Sequence, residues 1–460
     1  MIFKLLVIIC LQLSLISANA LDWPLGSAGE IDSAECLKSF PNSFFIERPK
    51  NNLSLDSEKF NFFYFLNQKF DRSKPTLLYV DGGPGQITGA YVNTLRFKNL
   101  TDYNVVYFHP RGSGCSVVPQ DNLWDPDLRM SNSMSDLEAL KIQLGIQKWD
   151  IIYAVSYGTV FTLKYLDQFK TASIQLILEG FFDPSFVKSD EDQIGLLINK
   201  GMPSSLLIMN TWNEFGGLDQ KYKNHIELQF KNLLEDKSIY SWNGAEIDFS
   251  DFFQKSNALF YHGVAGQDDF NKTLALNAML NILSLFIPES ELQKLNIQLK
   301  FTVDNKFPIS SQRLAVLTRI YEGLDYELID LLSQTGFGKA VSAAYGQDVG
   351  QLVYPIKNYV TQVESLNVNL DPSVRVTIIQ GEKDGITPVE AAERYFSTNT
   401  SVNTLIKMTD MGHARQFNED CYPVLFKHIL SSSLEDNLFS EPASKCYSPY
   451  GHKLFQKFEI

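Results

Sequence analysis

Six short apolar runs constrain this chain more than any other feature. They read PTLLYV, YNVVYF, DIIYAV, SIQLILEG, VRVTIIQG and NTLIKM, and they end near Val80, Phe108, Val155, Glu179, Gly381 and Met408. A strand with one wet face alternates apolar and polar residues. These are apolar almost throughout, the pattern of strands covered on both faces in a parallel sheet. Helix-spaced segments such as SDLEALKIQL at 135–144 lie between them. The expectation is a doubly wound, mostly parallel α/β sheet, whose ligands bind beyond the carboxyl ends of the strands.

The third run ends in a way that needs explaining. The stretch WDIIYAVSYGTVF at 149–161 stops at Ser156 and resumes with helical spacing. A serine there caps a helix well, because its oxygen accepts an orphan backbone N–H. It also fits a nucleophile elbow, a tight strand-to-helix turn that lifts a serine above the sheet between two small residues, here Ala154 and Gly158. This stretch alone does not choose between the two.

A serine nucleophile needs a base, normally a histidine held in one tautomer by a carboxylate. Downstream, GEKDGITP puts Asp384 in the loop after the fifth run, and MTDMGHARQF puts His413 in the loop after the sixth. Ser, Asp, His is the chain order of the α/β-hydrolases, and the long interval between Ser156 and Asp384 leaves room for an inserted domain. PTLLYVDGGPG supplies the remaining part. Glycines directly after a strand let the Gly83 amide face a substrate carbonyl, opposite the amide of Tyr157, as an oxyanion site. A phosphate loop fails as a rival, since no Gly-Lys-Ser/Thr follows and Pro84 interrupts the donors.

From 184 to 370 the pattern turns helical and aromatic-rich, in segments such as EDQIGLLINK, HIELQFKNLLED and AVLTRIYEGLDYELIDLL. This reads as a helical cap inserted between the two parts of an α/β core, 21–183 and 371–460. Residues 1–20 carry Lys4, an apolar stretch and Ala18-Asn19-Ala20, the form of a cleaved secretory signal. No later stretch approaches eighteen apolar residues. The expectation is a secreted or periplasmic protein without a stable membrane anchor.

Cleavage would remove Cys10 and leave Cys36, Cys115, Cys421 and Cys446, an even number that points to disulfides in an exported chain. Of the three possible pairings, nearness in sequence favours Cys421 with Cys446, which by elimination pairs Cys36 with Cys115. A formal net charge of −13 and a pI near 5.0 argue against nucleic acid or an anionic membrane as partner. The six histidines form no HExxH or His-x-His pair, so no metal site is read and no cofactor is expected.

Several of these motifs resemble one family. DGGPG at 81–85 is similar to the HGGPG motif of the proline iminopeptidase and tripeptidyl aminopeptidase group of α/β-hydrolases. HPRGSGCS at 109–116 resembles that group's DQRGxGxS, SYGT its serine elbow, and ILEGFFDP at 177–184 the strand end before its cap. Asp81 stands for the motif's histidine, His109-Pro110 for Asp-Gln, and Ala154 for glycine.

The resemblance implies Ser156 as nucleophile, His413 as general base and then acid, Asp384 as its orienter, and the Gly83 and Tyr157 amides as oxyanion donors. It implies a serine exopeptidase acting at the free amino terminus of short peptides. Glu179, Glu214 and Glu322 are acids available to hold a substrate ammonium, and none is assigned that role. An esterase or lipase with the same triad is the alternative, with cap aromatics such as Phe252, Phe253 and Phe260 lining an acyl pocket. A non-catalytic binding relative is the third reading.

Overall fold

The computed structural model describes residues 33–83 (53 and 55 apart), 88, 96–118, 128–182 (171 apart), 219–247 (235 and 236 apart), 283–292, 368–398 (369, 383, 385 and 386 apart), 402–408, 413 and 455–458. The leader, Cys421, Cys446 and most of the interval read as a cap lie outside the described residues.

All six apolar runs form strands of one sheet: β3 (Thr76–Val80), β4 (Asn104–Phe108), β5 (Trp149–Val155), β6 (Ser173–Glu179), β9 (Arg375–Gly381) and β10 (Val402–Met408). Two strands precede them, β1 (Ser43–Pro49) and β2 (Lys59–Leu66), and β11 (Phe455–Phe458) closes the far edge. Within 219–247, the segment around HIELQFKNLL is helical, followed by a small hairpin of β7 (Ile239–Tyr240) and β8 (Glu246–Ile247).

The strand order is β1-β2-β4-β3-β5-β6-β9-β10-β11. Strand β2 runs antiparallel to both neighbours, β11 runs antiparallel to β10, and β4, β3, β5, β6, β9 and β10 pair in parallel in that order. This is the α/β-hydrolase fold. Sequence reading missed β1 because its side chains are all partly or fully exposed, which leaves no apolar run. It missed β2 because Lys59 and Asn61 break an aromatic stretch.

Side-chain alternation divides the core into two layers. Leu78, Val80, Val106, Ile152, Ala154, Leu178 and Ile378 face one side. There they meet Leu137 and Leu140 of α2 (Met130–Gln143) and Val160, Leu163 and Leu166 of α3 (Tyr157–Gln168). Leu77, Tyr79, Tyr107, Ile151, Tyr153 and Ile177 face the other, against Cys36 of α1 (Ser33–Ser39), Phe40 and Phe97. Burial on both faces is what made these runs apolar throughout. Each buried Leu, Ile or Val contributes about 1.5–3 kcal/mol.

The loop leaving β4, HPRGSGCS, fastens the N-terminal half of the sheet. His109 is fully buried with its ring 4.9 Å from Phe63 and 5.2 Å from Phe40. The Cys115 amide donates to its Nδ1 at 3.0 Å, so Nε2 carries the proton and donates to the Thr88 carbonyl at 2.9 Å. The Ser116 hydroxyl donates to the His109 carbonyl and accepts from the Phe63 amide. Arg111, also fully buried, grips Asp136 of α2 through two bonds of 2.7 Å and donates to the Lys50 carbonyl. Arg48 of β1 reaches the same carboxylate at 3.0 Å. Cys115 is joined to Cys36 in the disulfide reached by elimination.

Burial depresses the His109 pKa to about 4 from an ordinary 6.5. Between those values the unfolded chain takes a proton at this position and the folded one does not. Stability attributable to His109 is therefore intact above about pH 6.5 and is lost as pH falls toward 4, by roughly 3 kcal/mol. Urea unfolding from pH 7 to pH 4 should show the wild type losing about that much more than His109→Gln over the same interval.

Candidate active site

Strands β5, β9 and β10 run parallel and end at one edge of the sheet, and the three residues predicted for catalysis follow those ends in sequence. Ser156 sits where β5 becomes α3, with φ 52° and ψ −125°. A non-glycine residue at such angles costs on the order of 1–3 kcal/mol and persists only where its surroundings over-determine it. Here the Ser156 amide donates to the Glu179 carbonyl of β6 at 2.9 Å, and its own carbonyl accepts from the Thr159 amide and hydroxyl. The side chain makes no capping bond to α3. Its Oγ lies instead 2.9 Å from Nε2 of His413.

His413 Nδ1 lies 2.9 Å from Asp384 Oδ2. Ser156, His413 and Asp384 are all buried, Asp384 completely. The Asp384 carboxylate also accepts from the Thr387 amide (2.8 Å) and hydroxyl (2.7 Å) and from the Gln380 side-chain amide (2.9 Å). Gln380 accepts in turn from the Phe181 amide, so one amide links the acid to the end of β6. Sequence reading named neither Thr387 nor Gln380. Thr387 carried a signal, since a carboxylate often takes the backbone N–H a few residues on. Gln380 carried another, an amide inside an otherwise apolar run.

Two glycines make room for this arrangement. A Cβ on Gly158 would lie 2.4 Å from the Asp81 carbonyl oxygen and 2.8 Å from that of Val80, so α3 starts directly against the end of β3. Gly180, at φ +60°, faces the imidazole, and a Cβ there would lie 3.2 Å from His413 Cε1.

Gly83 follows β3 at φ 125°, and β3 pairs with β5 through Val80 and Ala154. Tyr157 is the first residue of α3. The two amides expected to form an oxyanion site thus follow the carboxyl ends of neighbouring strands. Gly82 spends its own amide on Asp81 Oδ1 at 2.9 Å, and the Tyr79 hydroxyl donates to the same oxygen at 3.3 Å, which accounts for an acid at that position.

Glu179 is fully buried, ion-paired with Arg96 and hydrogen-bonded by the Tyr153 hydroxyl at 2.7 Å, so it is already engaged and is not a receptor for a ligand ammonium. Glu214 and Glu322 lie outside the described residues. Among the described residues no group of three or more His, Cys, Asp and Glu side chains could hold a metal ion. No described helix is long and apolar enough to cross a membrane.

An alanine at 158 would have to push α3 off the backbone of β3, which no rotamer change relieves. Gly158→Ala should cost about 1–3 kcal/mol, read as a lower urea midpoint with an unchanged slope.

No family model matches the chain. Over 135 residues it is 30% identical to a probable proline iminopeptidase of Streptomyces coelicolor, a match that spans 29% of this chain and 40% of that protein. Among solved structures, it is similar to an esterase from Rhodococcus sp. ECU1013 (TM-score 0.38, 12% identity, 85% of this chain and 99% of that one). It is also similar to a 2-hydroxy-6-oxo-6-phenylhexa-2,4-dienoate hydrolase from Rhodococcus sp. strain RHA1 (TM-score 0.35, 14% identity, 85% and 100%). Likenesses this loose do not separate one activity from another, and the fold assignment rests on the strand order.

Proposed function

We propose that the chain is a serine hydrolase, and specifically a secreted or periplasmic exopeptidase that releases residues from the free amino terminus of short peptides. The observation that carries the reading is the hydrogen-bonded line from Ser156 Oγ through His413 to Asp384 on a positive-φ elbow. In this mechanism Ser156 Oγ attacks the scissile carbonyl while His413 Nε2 takes its proton. Asp384 holds the imidazole with Nδ1 protonated and stabilises the imidazolium that forms. The Gly83 and Tyr157 amides receive the negative charge that develops on the carbonyl oxygen. His413 then protonates the leaving amine, and water, activated by the same imidazole, releases the acyl group from Ser156.

The preference for a free amino terminus is supported by the DGGPG and SYGT motifs and by the partial match to a probable proline iminopeptidase. Export is supported by the leader-like residues 1–20 and by the Cys36–Cys115 disulfide.

Ser156→Ala should fold normally and lose turnover by about a million-fold. A purified variant that kept a tenth of the wild-type rate would remove Ser156 from the mechanism.

The substrate reading is tested by kcat/KM for one peptide with its amino terminus free and acetylated. A carboxylate that meets an ammonium is costly to leave unpaired, so acetylation should lose roughly 2–5 kcal/mol, a ratio of about 30-fold or more. A ratio near one, or inverted, would put a carboxylesterase with the same triad in place of the exopeptidase.

A further inference from the structure

Ser156 keeps its strained backbone because something holds the turn from outside, and its amide is held by the Glu179 carbonyl. The Glu179 side chain is fully buried at the carboxyl end of β6, on the layer formed by Tyr79, Tyr107 and Tyr153. It accepts from the Tyr153 hydroxyl at 2.7 Å, three residues before Ser156 in β5, and it is ion-paired with Arg96, thirteen residues beyond Gly83. The Arg96 carbonyl accepts in turn from the Tyr107 hydroxyl of β4. A single carboxylate thus joins β6, β5 and Arg96, which is itself tied to β4.

An ion pair is an expensive way to fill such a place. Apolar residues of similar volume are often neutral or stabilising, whereas removing one partner alone strands a buried charge. Stability therefore does not account for the pair, while its fixed direction and its three attachments do something an apolar pair does not.

We propose that Glu179, held by Arg96 and Tyr153, is the positioning residue of the elbow: it fixes the turn at Ser156 and so sets where the Ser156 hydroxyl stands relative to His413. This rests on the reading of Ser156 as nucleophile.

The test is the double variant Arg96→Met/Glu179→Leu, which leaves no buried charge unpaired. Two readouts are taken on wild type and variant. One is kcat and KM on an aminoacyl amide or a simple ester, whichever the wild type turns over. The other is the rate at which a fluorophosphonate labels Ser156, followed by intact mass.

The expected result is a melting temperature within about 3 °C of wild type, kcat and labelling rate both down about 100-fold, and KM changed by less than about threefold. A folded double variant with kcat within about threefold of wild type, or a loss confined to KM, overturns the proposal.

If the double variant does not fold, Tyr153→Phe removes only the hydroxyl on Glu179. It should lower kcat about fivefold to tenfold at unchanged KM, and wild-type kcat in that variant overturns the proposal equally. Wild-type protein that the probe does not label at Ser156 overturns the serine reading itself, and is thereby distinguishable from failure of the positioning role.

Discussion

The closeness of α3 to β3 governs the rest of the site. Gly158 brings the helix against the carbonyl oxygens of Val80 and Asp81 at distances where a side chain has no room. A helix that begins so near the sheet leaves one residue to turn from strand to helix, and Ser156 makes that turn at positive φ. Its hydroxyl is thereby raised over the edge toward His413 instead of lying along the helix start. At Gly180 a second absent side chain gives the imidazole its place. The position of a hydroxyl and of a ring is set by what two neighbouring residues lack.

The rigidity needed to hold such a turn comes from buried polar groups, each with its partners present. Asp384 is wrapped by Thr387, Gln380 and His413, Asp136 by Arg111 and Arg48, and Glu179 by Arg96 and Tyr153. Satisfied networks of this kind specify one arrangement, because every alternative leaves a buried donor or acceptor unmet. Two of the three lie beside the Ser156 line, and the third ties α2 to the loop after β4 and to β1. The sheet supplies the platform, and the carboxylates keep the loops at its edge in register with it.

Much of this was legible in the sequence because it follows from burial. Strands covered on both faces are apolar throughout, and all six such runs are strands, with the residues predicted for chemistry at their ends. The exposed and mixed strands were not legible: β1 has no buried side chain, and β2 reads as an aromatic stretch broken by Lys59 and Asn61. For the site, Ser156, Asp384 and His413 announced themselves by residue type and by position after a strand. Gln380 and Thr387 did so only faintly, as an amide inside an apolar run and a hydroxyl just after the acid, and Arg96 not at all, since a helper is defined by what it touches across the fold. Glu179 shows the converse. By residue type alone it is one more acid available to hold an ammonium, and it is occupied once its neighbours in space are known.

The sheet order has a consequence in time. Strands β3 to β6 are made in succession and pair with one another, whereas β9 joins β6 only after the long interval between them has been synthesised. Contacts of such sequence separation form late, because the chain must first give up the entropy of closing a large loop. The serine is therefore in place on its strand well before either partner can reach it. A chain still being made carries that hydroxyl with no histidine beside it, and the line from Ser156 to Asp384 exists only once the sheet has closed.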